Sequence, residues 1–257
     1  MDREEAMRLK GKVAIVTGAG QGIGEAIARR LAEEGAGVVI NDVNADSGQK
    51  VAREIGDKGG RAVFCEGDVT KLAANEAMVA AATRSFGRLD VFVANAGVTH
   101  WNKPMLDVTE DEFDRMFAVN VKGVFQAARA CMPMWEAQKA GNMIVIASTA
   151  GIRPRPGLVW YNATKGAVII AVKAMAAEFG PRGIRFNAIC PVATETPLLA
   201  HFMGGDNADN RARFNATVPL GRLGQPLDHA NAAVFLASDE SAFITGVDLP
   251  VDGGRCI

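Results

Sequence analysis

The residues that build the commonest specialised sites are scarce. Three histidines, His100, His201 and His229, are too scattered to form an obvious metal site, and four cysteines, Cys65, Cys131, Cys190 and Cys256, follow neither ligand nor disulfide spacing. No metal is expected, and reduced thiols in a cytoplasmic protein are the plain reading. Neither sign of charge predominates: the net charge is −1 with both signs dispersed, so neither nucleic acid nor an anionic membrane is an expected partner. Long apolar runs are missing as well. The longest, near residues 163–177, is broken by Lys165 and Lys173, which argues against a membrane span, and the charged residues 1–10 are unlike a secretory signal. Repeats, low-complexity tracts and linkers are also lacking. What is there is a chain of 257 residues, 49% hydrophobic, that reads as a single domain over residues 1–257 with a large core.

Tyrosine is scarcer than either histidine or cysteine, at one residue, and it stands four positions before a lysine: Tyr161-Asn162-Ala163-Thr164-Lys165. On a helix the two side chains share a face, so an ammonium can sit beside the phenol and favour its ionised form. A phenol brought down from about pH 10 toward neutrality is a proton shuttle, and roughly 3 pH units correspond to about 4 kcal/mol of preference for the phenolate. One lysine rarely supplies that much, which calls for a cationic cofactor nearby. The isolated motif also describes a packing tyrosine beside a solvated lysine, so its context decides.

That context lies at the other end of the chain. Residues 12–17 form a short apolar run ending in Gly18-Ala19-Gly20-Gln21-Gly22-Ile23-Gly24, followed by a helical pattern over 25–34. This is strand, glycine-rich turn, helix. Glycines let backbone approach a pyrophosphate, and a helix N-terminus presents unpaired N–H groups and a positive dipole end to it. Gly18, Gln21, Gly22, Ile23 and Gly24 are therefore candidate cofactor-binding residues, although the spacing is G-x-x-x-G-x-G rather than G-x-G-x-x-G. The next strand, 37–41, ends at Asp42, about 20 residues on, where a carboxylate accepts hydrogen bonds from an adenosine ribose. That carboxylate repels a 2′-phosphate, and Gln21 stands where a phosphate-binding arginine could, so NAD is expected in preference to NADP. Asp42 as an ordinary turn residue is the alternative.

Strand and helix patterns alternate along the rest of the chain, with strands at 38–41, 62–66, 91–95, 143–148, 185–190 and 247–251 and helices at 45–57, 73–86, 110–137 and 158–179. With the first strand, this predicts an α/β fold, a single-domain, doubly wound parallel seven-stranded sheet of Rossmann-like type. The least regular part, about 193–219, contains Gly204-Gly205 and several Asn and Asp residues. It reads as a mobile flap over the site, although an inert surface excursion has the same pattern.

In combination these pieces resemble the short-chain dehydrogenase/reductase family from Lys10 to Gly254. Thr17 to Gly24 matches T-G-x-x-x-G-I-G, Asn95-Ala96-Gly97 matches N-A-G after the fourth strand, and Asn120, Ser148, Tyr161 and Lys165 match the family's catalytic four. Asp68 looks like the family's adenine-contacting acid, with Val69 beside it. The resemblance implies that Tyr161 exchanges the hydroxyl proton while hydride passes to or from the nicotinamide, and that Ser148 hydrogen-bonds the reacting oxygen. Lys165 lowers the tyrosine pKa and holds the nicotinamide ribose in this scheme, and Asn120 anchors a proton-relaying water, unless it merely makes a local backbone bond. Pro191, Thr194 and Thr196 fall in the nicotinamide loop, with Thr196 directed at the carboxamide or else capping a helix. The family has Pro-Gly there, whereas Pro191 precedes Val192, a residue less permissive in its dihedrals. A homotetramer built on the helices from Glu110 and Leu158 and on the C-terminal strand is also implied.

The expected activity is that of an NAD-dependent alcohol dehydrogenase or ketone reductase, and segments 99–104, 153–161 and 195–204 look like an alcohol-oxidising branch of the family. A 3-oxoacyl-thioester (acyl carrier protein) reductase-like or glucose 1-dehydrogenase-like enzyme is the alternative, with a non-catalytic NAD-sensing module behind it. Arg153-Pro154-Arg155-Pro156 either meets an anionic substrate group or forms solvated or subunit-contact surface. His100, Trp101, Trp160, Phe202 and Met203 suggest a roomy, partly aromatic pocket, or plain packing.

Overall fold

Small and β-branched apolar residues follow one another in short runs, and those runs are strands. In the computed structural model, which describes residues 7–257, they are β1 (Val13–Thr17), β2 (Gly37–Asp42), β3 (Arg61–Glu66), β4 (Val91–Ala94), β5 (Gly141–Ile146), β6 (Ile184–Pro191) and β7 (Asp248–Val251). The first six residues of the charged N-terminal segment lie outside the described residues. All neighbouring strands pair in parallel, in the order β3-β2-β1-β4-β5-β6-β7. Parallel pairing demands long crossovers, and helices supply them: α1 (Gly22–Glu33), α2 (Ala45–Asp57), α3 (Leu72–Phe86), α4 (Glu110–Phe117), α5 (Gly123–Gln138), α6 (Val159–Phe179), α7 (Leu199–Met203), α8 (Ala208–Asn215) and α9 (Pro226–Ala237).

Successive strand residues face opposite layers, so each strand serves two cores. Val13 and Ile15 pack with Met78 of α3, Trp135 of α5 and Val172 of α6. Ala14 and Val16 pack with Ile27 and Leu31 of α1, Val51 of α2 and Val234 of α9. The winding direction reverses between β1 and β4, and a crevice opens at the carboxyl ends of the strands there.

Three details depart from the pattern read in the sequence. The run expected as one helix over 110–137 passes through a π-turn at Ala118–Lys122 between α4 and α5. The irregular stretch contains two short helices, α7 and α8. Helix α9 was not anticipated at all. Pro226 in its first turn and Asp228, which accepts a 2.8 Å hydrogen bond from the Gln225 N–H, start it. Among the described residues no helix is long and apolar enough to cross a membrane.

Candidate active site

A cleft of about 640 Å³ runs along the carboxyl ends of the strands, in the range of small-molecule and cofactor sites. At one end lies the turn after β1. Gly18 and Gly22 adopt left-handed φ values of 60° and 61°, which side chains resist. Gln21, the N-cap of α1, makes no side-chain cap bond, whereas Asn44 caps α2 by accepting from Ser47 N at 3.1 Å. The first-turn N–H groups of α1 are thus left for a ligand, which fits a pyrophosphate. The turn is pinned from β4. Asn95 Nδ2 donates to the carbonyls of Thr17 (2.8 Å) and Gly18 (3.1 Å), and the N–H groups of Asn95 and Ala96 both donate to Thr17 Oγ1 at 3.0 Å. Asp42 accepts from Gly20 N and Asn44 N, each at 2.9 Å, which fixes its carboxylate on the cleft wall. That geometry fits the adenosine ribose of a dinucleotide. Asp68, Val69 and Gly97 complete this wall.

At the other end stand Ser148, Tyr161 and Lys165. Ser148 follows β5, and its Oγ accepts from Ala150 N at 3.0 Å. Tyr161 lies in the first turn of α6, buried, with its ring 5.1 Å from that of Phe202. Lys165 Nζ donates to the Ile146 carbonyl at 2.8 Å, and burial lowers its pKa to about 8. Here the structure corrects an expectation. Burial pushes the phenol up to about 12, against downward pulls from a Ser148 hydrogen bond and from Arg155, not from Lys165, whose ammonium is 5.7 Å from the ring centroid. The protein groups alone do not make the phenol acidic.

Asn120 is buried in the π-turn and does not line the cleft. Its Oδ1 accepts from Val98 N (2.9 Å), and Nδ2 donates to the Val98 carbonyl (2.9 Å) and Thr164 Oγ1 (3.1 Å). Both amide hydrogens are in use, so the side chain fastens the loop after β4 to the helix carrying Tyr161.

In the loop after β6, Thr194 and Thr196 line the cleft with Pro191. The Thr194 hydroxyl donates to the Val192 carbonyl at 2.7 Å, so the 2.7 Å contact with His229 Nε2 requires a proton on that nitrogen. The Thr194 side chain is thereby directed into the protein. Val192 raises no dihedral problem: among the described residues Lys139 is the one non-glycine with positive φ.

Every residue expected to contact the cofactor lines this cleft, Gln21, Ile23 and Gly24 included. The aromatic pocket is smaller than expected. Of His100, Trp101, Trp160, Phe202 and Met203, Phe202 alone reaches the wall. Trp160 packs edge-on against Phe113 at 5.2 Å, and Trp101 stacks on His201 at 4.2 Å. That stack, with Asn102 N donating to the His201 carbonyl (2.9 Å), fastens α7 to the loop after β4. Sequence reasoning missed Phe214 of α8 and Arg255 near the C-terminus, both on the wall. Neither carried a signal, since only long-range folding brings them there.

Comparison with known proteins agrees with this geometry. Residues 18–255 match a family described as enoyl-(acyl carrier protein) reductase. The chain is 50% identical over 252 residues, 98% of its length and 100% of the relative's, to a 4-formylbenzenesulfonate dehydrogenase of Comamonas testosteroni. It is 42% identical over 249 residues, 97% of its length and 98% of the relative's, to a 2,5-dichloro-2,5-cyclohexadiene-1,4-diol dehydrogenase of Sphingobium indicum. Among solved structures, a 3-ketoacyl-(acyl-carrier-protein) reductase from Brucella melitensis complexed with NADH superposes with a TM-score of 0.91 at 45% identity, covering 97% of this chain and 100% of that one. A gluconate 5-dehydrogenase from Burkholderia cenocepacia with NADP and tartrate also superposes with a TM-score of 0.91, at 36% identity, covering 99% and 98%.

Proposed function

This chain belongs to the short-chain dehydrogenase/reductase family and is an oxidoreductase that transfers hydride between an alcohol, or its carbonyl product, and a nicotinamide; we propose that its cofactor is NAD, that Tyr161 is its acid/base and that alcohol oxidation is its working direction. The observation that carries this is the placement of Tyr161, Ser148 and Lys165 at one end of a cleft whose other end is the glycine turn and Asp42. NADP brings a 2′-phosphate to Asp42, a fixed carboxylate with no cleft-lining cation from β2 or β3 to offset it, and like charges at that range repel. Two dehydrogenases among the relatives support the oxidative direction.

Bound NAD would supply the hydride acceptor and, when oxidised, a positive charge. Tyr161 as phenolate takes the hydroxyl proton, and Ser148 donates a hydrogen bond to the oxygen as its charge grows. Lys165, already held by Ile146, has hydrogens remaining with which it would hold the nicotinamide ribose. Asn120 keeps α6 in register with the loop after β4 through Thr164, whose hydroxyl donates to the Tyr161 carbonyl at 2.8 Å. Because burial holds the phenol high, oxidation should speed up as pH rises from neutral and reduction should slow. In this reading residues 193–219 act as a lid, with α7 and α8 closing over the substrate. Exposed Phe125 on α5 and Ile170 on α6 support a homotetramer, and four free thiols suit the cytoplasm.

Tyr161→Phe tests the assignment. It should bind NADH within about threefold of the parent protein by fluorescence titration yet lose roughly a thousandfold in turnover of any alcohol oxidised. Turnover within tenfold of the parent removes Tyr161 from its role.

A further inference from the structure

The cleft's carboxylates, Asp42 and Asp68, lie at β2 and beyond β3; its cations are Arg115 of α4, Lys165 of α6 and a cluster of three arginines, Arg153, Arg155 and Arg255, from the segments after β5 and β7. Two strands, β1 and β4, separate β2 from β5, which at about 4.8 Å per strand sets the two groups roughly 14 Å apart across the sheet. The cofactor's phosphates have the α1 N-terminus, so they do not account for the arginines.

The arginines are not equivalent. Arg153 is committed to the C-terminal segment, donating to the carbonyls of Arg255 (2.7 Å) and Ile257 (3.3 Å). Arg155 has no hydrogen bond to its guanidinium and no carboxylate within ion-pair distance among the described residues. It lies over the Phe214 ring, 4.4 Å from the centroid. Burial brings its pKa down to about 10, helped by repulsion from Arg255 and opposed by attraction to Tyr161, so it is a cation at neutral pH. A largely desolvated cation facing a second cation without a counter-charge is an unfavourable arrangement that a bound anion relieves. The wall between Arg155 and Tyr161 is apolar, with Leu158, Phe202 and Phe214.

Resting on the dehydrogenase reading above, we infer that the substrate is an aromatic alcohol bearing an anionic substituent, and that Arg155 binds this substituent while the carbinol lies at Tyr161. The planar fork of arginine suits a carboxylate or a sulfonate, and the apolar wall suits a ring. Two sources of the charge share this chemistry, and the test separates them.

The parent protein, Arg155→Ala and Arg155→Lys are assayed with NAD on benzyl alcohol, 4-(hydroxymethyl)benzoate and 4-(hydroxymethyl)benzenesulfonate. The parent should prefer at least one anionic alcohol over the neutral one by about 100-fold in kcat/KM, with the larger ratio naming the carboxylate or the sulfonate. Arg155→Ala should collapse that ratio to near unity, and Arg155→Lys should restore it in part. A parent without preference, or a variant that loses equally on charged and neutral alcohols, overturns the inference. Equal loss is the signature of an arginine that only tunes Tyr161. Calorimetric titration with benzoate and benzenesulfonate needs no turnover. If no alcohol is oxidised, the dehydrogenase reading falls, while at least tenfold weaker anion binding by Arg155→Ala still supports the anion site and unchanged binding refutes it.

Discussion

The two ends of the cleft are made by different means. The cofactor end is local in the chain: the Gly18–Gly24 turn is clamped by the side chains of Thr17 and Asn95, neither of which titrates, and turn and clamps come from strands adjacent in the sheet. The substrate end is assembled from segments far apart in the chain, namely the loop after β4, the start of α6, the α7–α8 stretch, His229 and Arg255. It is held by ring stacks, by a cation over a phenyl ring and by a buried imidazole. A generic ligand is thus met by a stiff, sequence-local cradle, and a particular substrate by a surface whose parts can vary independently.

The largest effect expected from this contrast is at Gly24. An added Cβ there collides with the Gly18 carbonyl and Asn95 Nδ2, both backbone or fixed by hydrogen bonds. Gly24→Ala should lose about 4 kcal/mol of stability in urea unfolding and with it NADH binding. A stable variant that still binds NADH breaks the picture of a stiff cradle.

A smaller effect separates the ends by pH. His229 holds Thr194, and burial lowers its pKa from 6.5 to about 4, the nearby Asp228 opposing and Arg222 adding to the shift. A histidine with a depressed folded pKa is neutral in both states above pH ~6.5. Below that the unfolded chain takes up a proton and the fold does not, so stability falls until about pH 4. The total is about 3 kcal/mol. His229→Gln should flatten this limb in urea midpoints measured between those pH values. An unchanged acid limb means another group is responsible.

Smallest is the change in cofactor choice. Asp42→Ala should erode the preference for NAD over NADP by about tenfold, or about 1.4 kcal/mol, in paired kcat/KM measurements. The same variant should leave the ratio between anionic and neutral alcohols as it was. A shift in that ratio would show that the two ends are coupled.

The same contrast explains what could be read in the sequence. The strands, the glycine turn, Asp42 and the Tyr161/Lys165 pair were legible because each is a local pattern with a period or a fixed spacing. Helix α9 was not, since Gln225-Pro226 follows directly on an irregular stretch and the apolar run Ala232 to Ala237 lacks the polar alternation of a surface helix. The bonds of the Asn120 side chain were not legible, because its partner Val98 is 22 residues away and the π-turn has no sequence signature. Lys165 was given the electrostatic work on Tyr161 because spacing puts the two on one helix face. The helix geometry holds, but the protein cation that pulls on the phenol is Arg155, brought by a loop.

A chain with a single tyrosine carries its own label. Phenolate absorbs ultraviolet light to longer wavelength than phenol, and here no second phenol contributes to that change, the three tryptophans absorbing nearby without titrating. An alkaline titration of the folded protein therefore follows one proton on one oxygen. Repeating it with oxidised and then reduced cofactor would read, as two displaced curves, how much the cofactor's positive charge bears on the phenol.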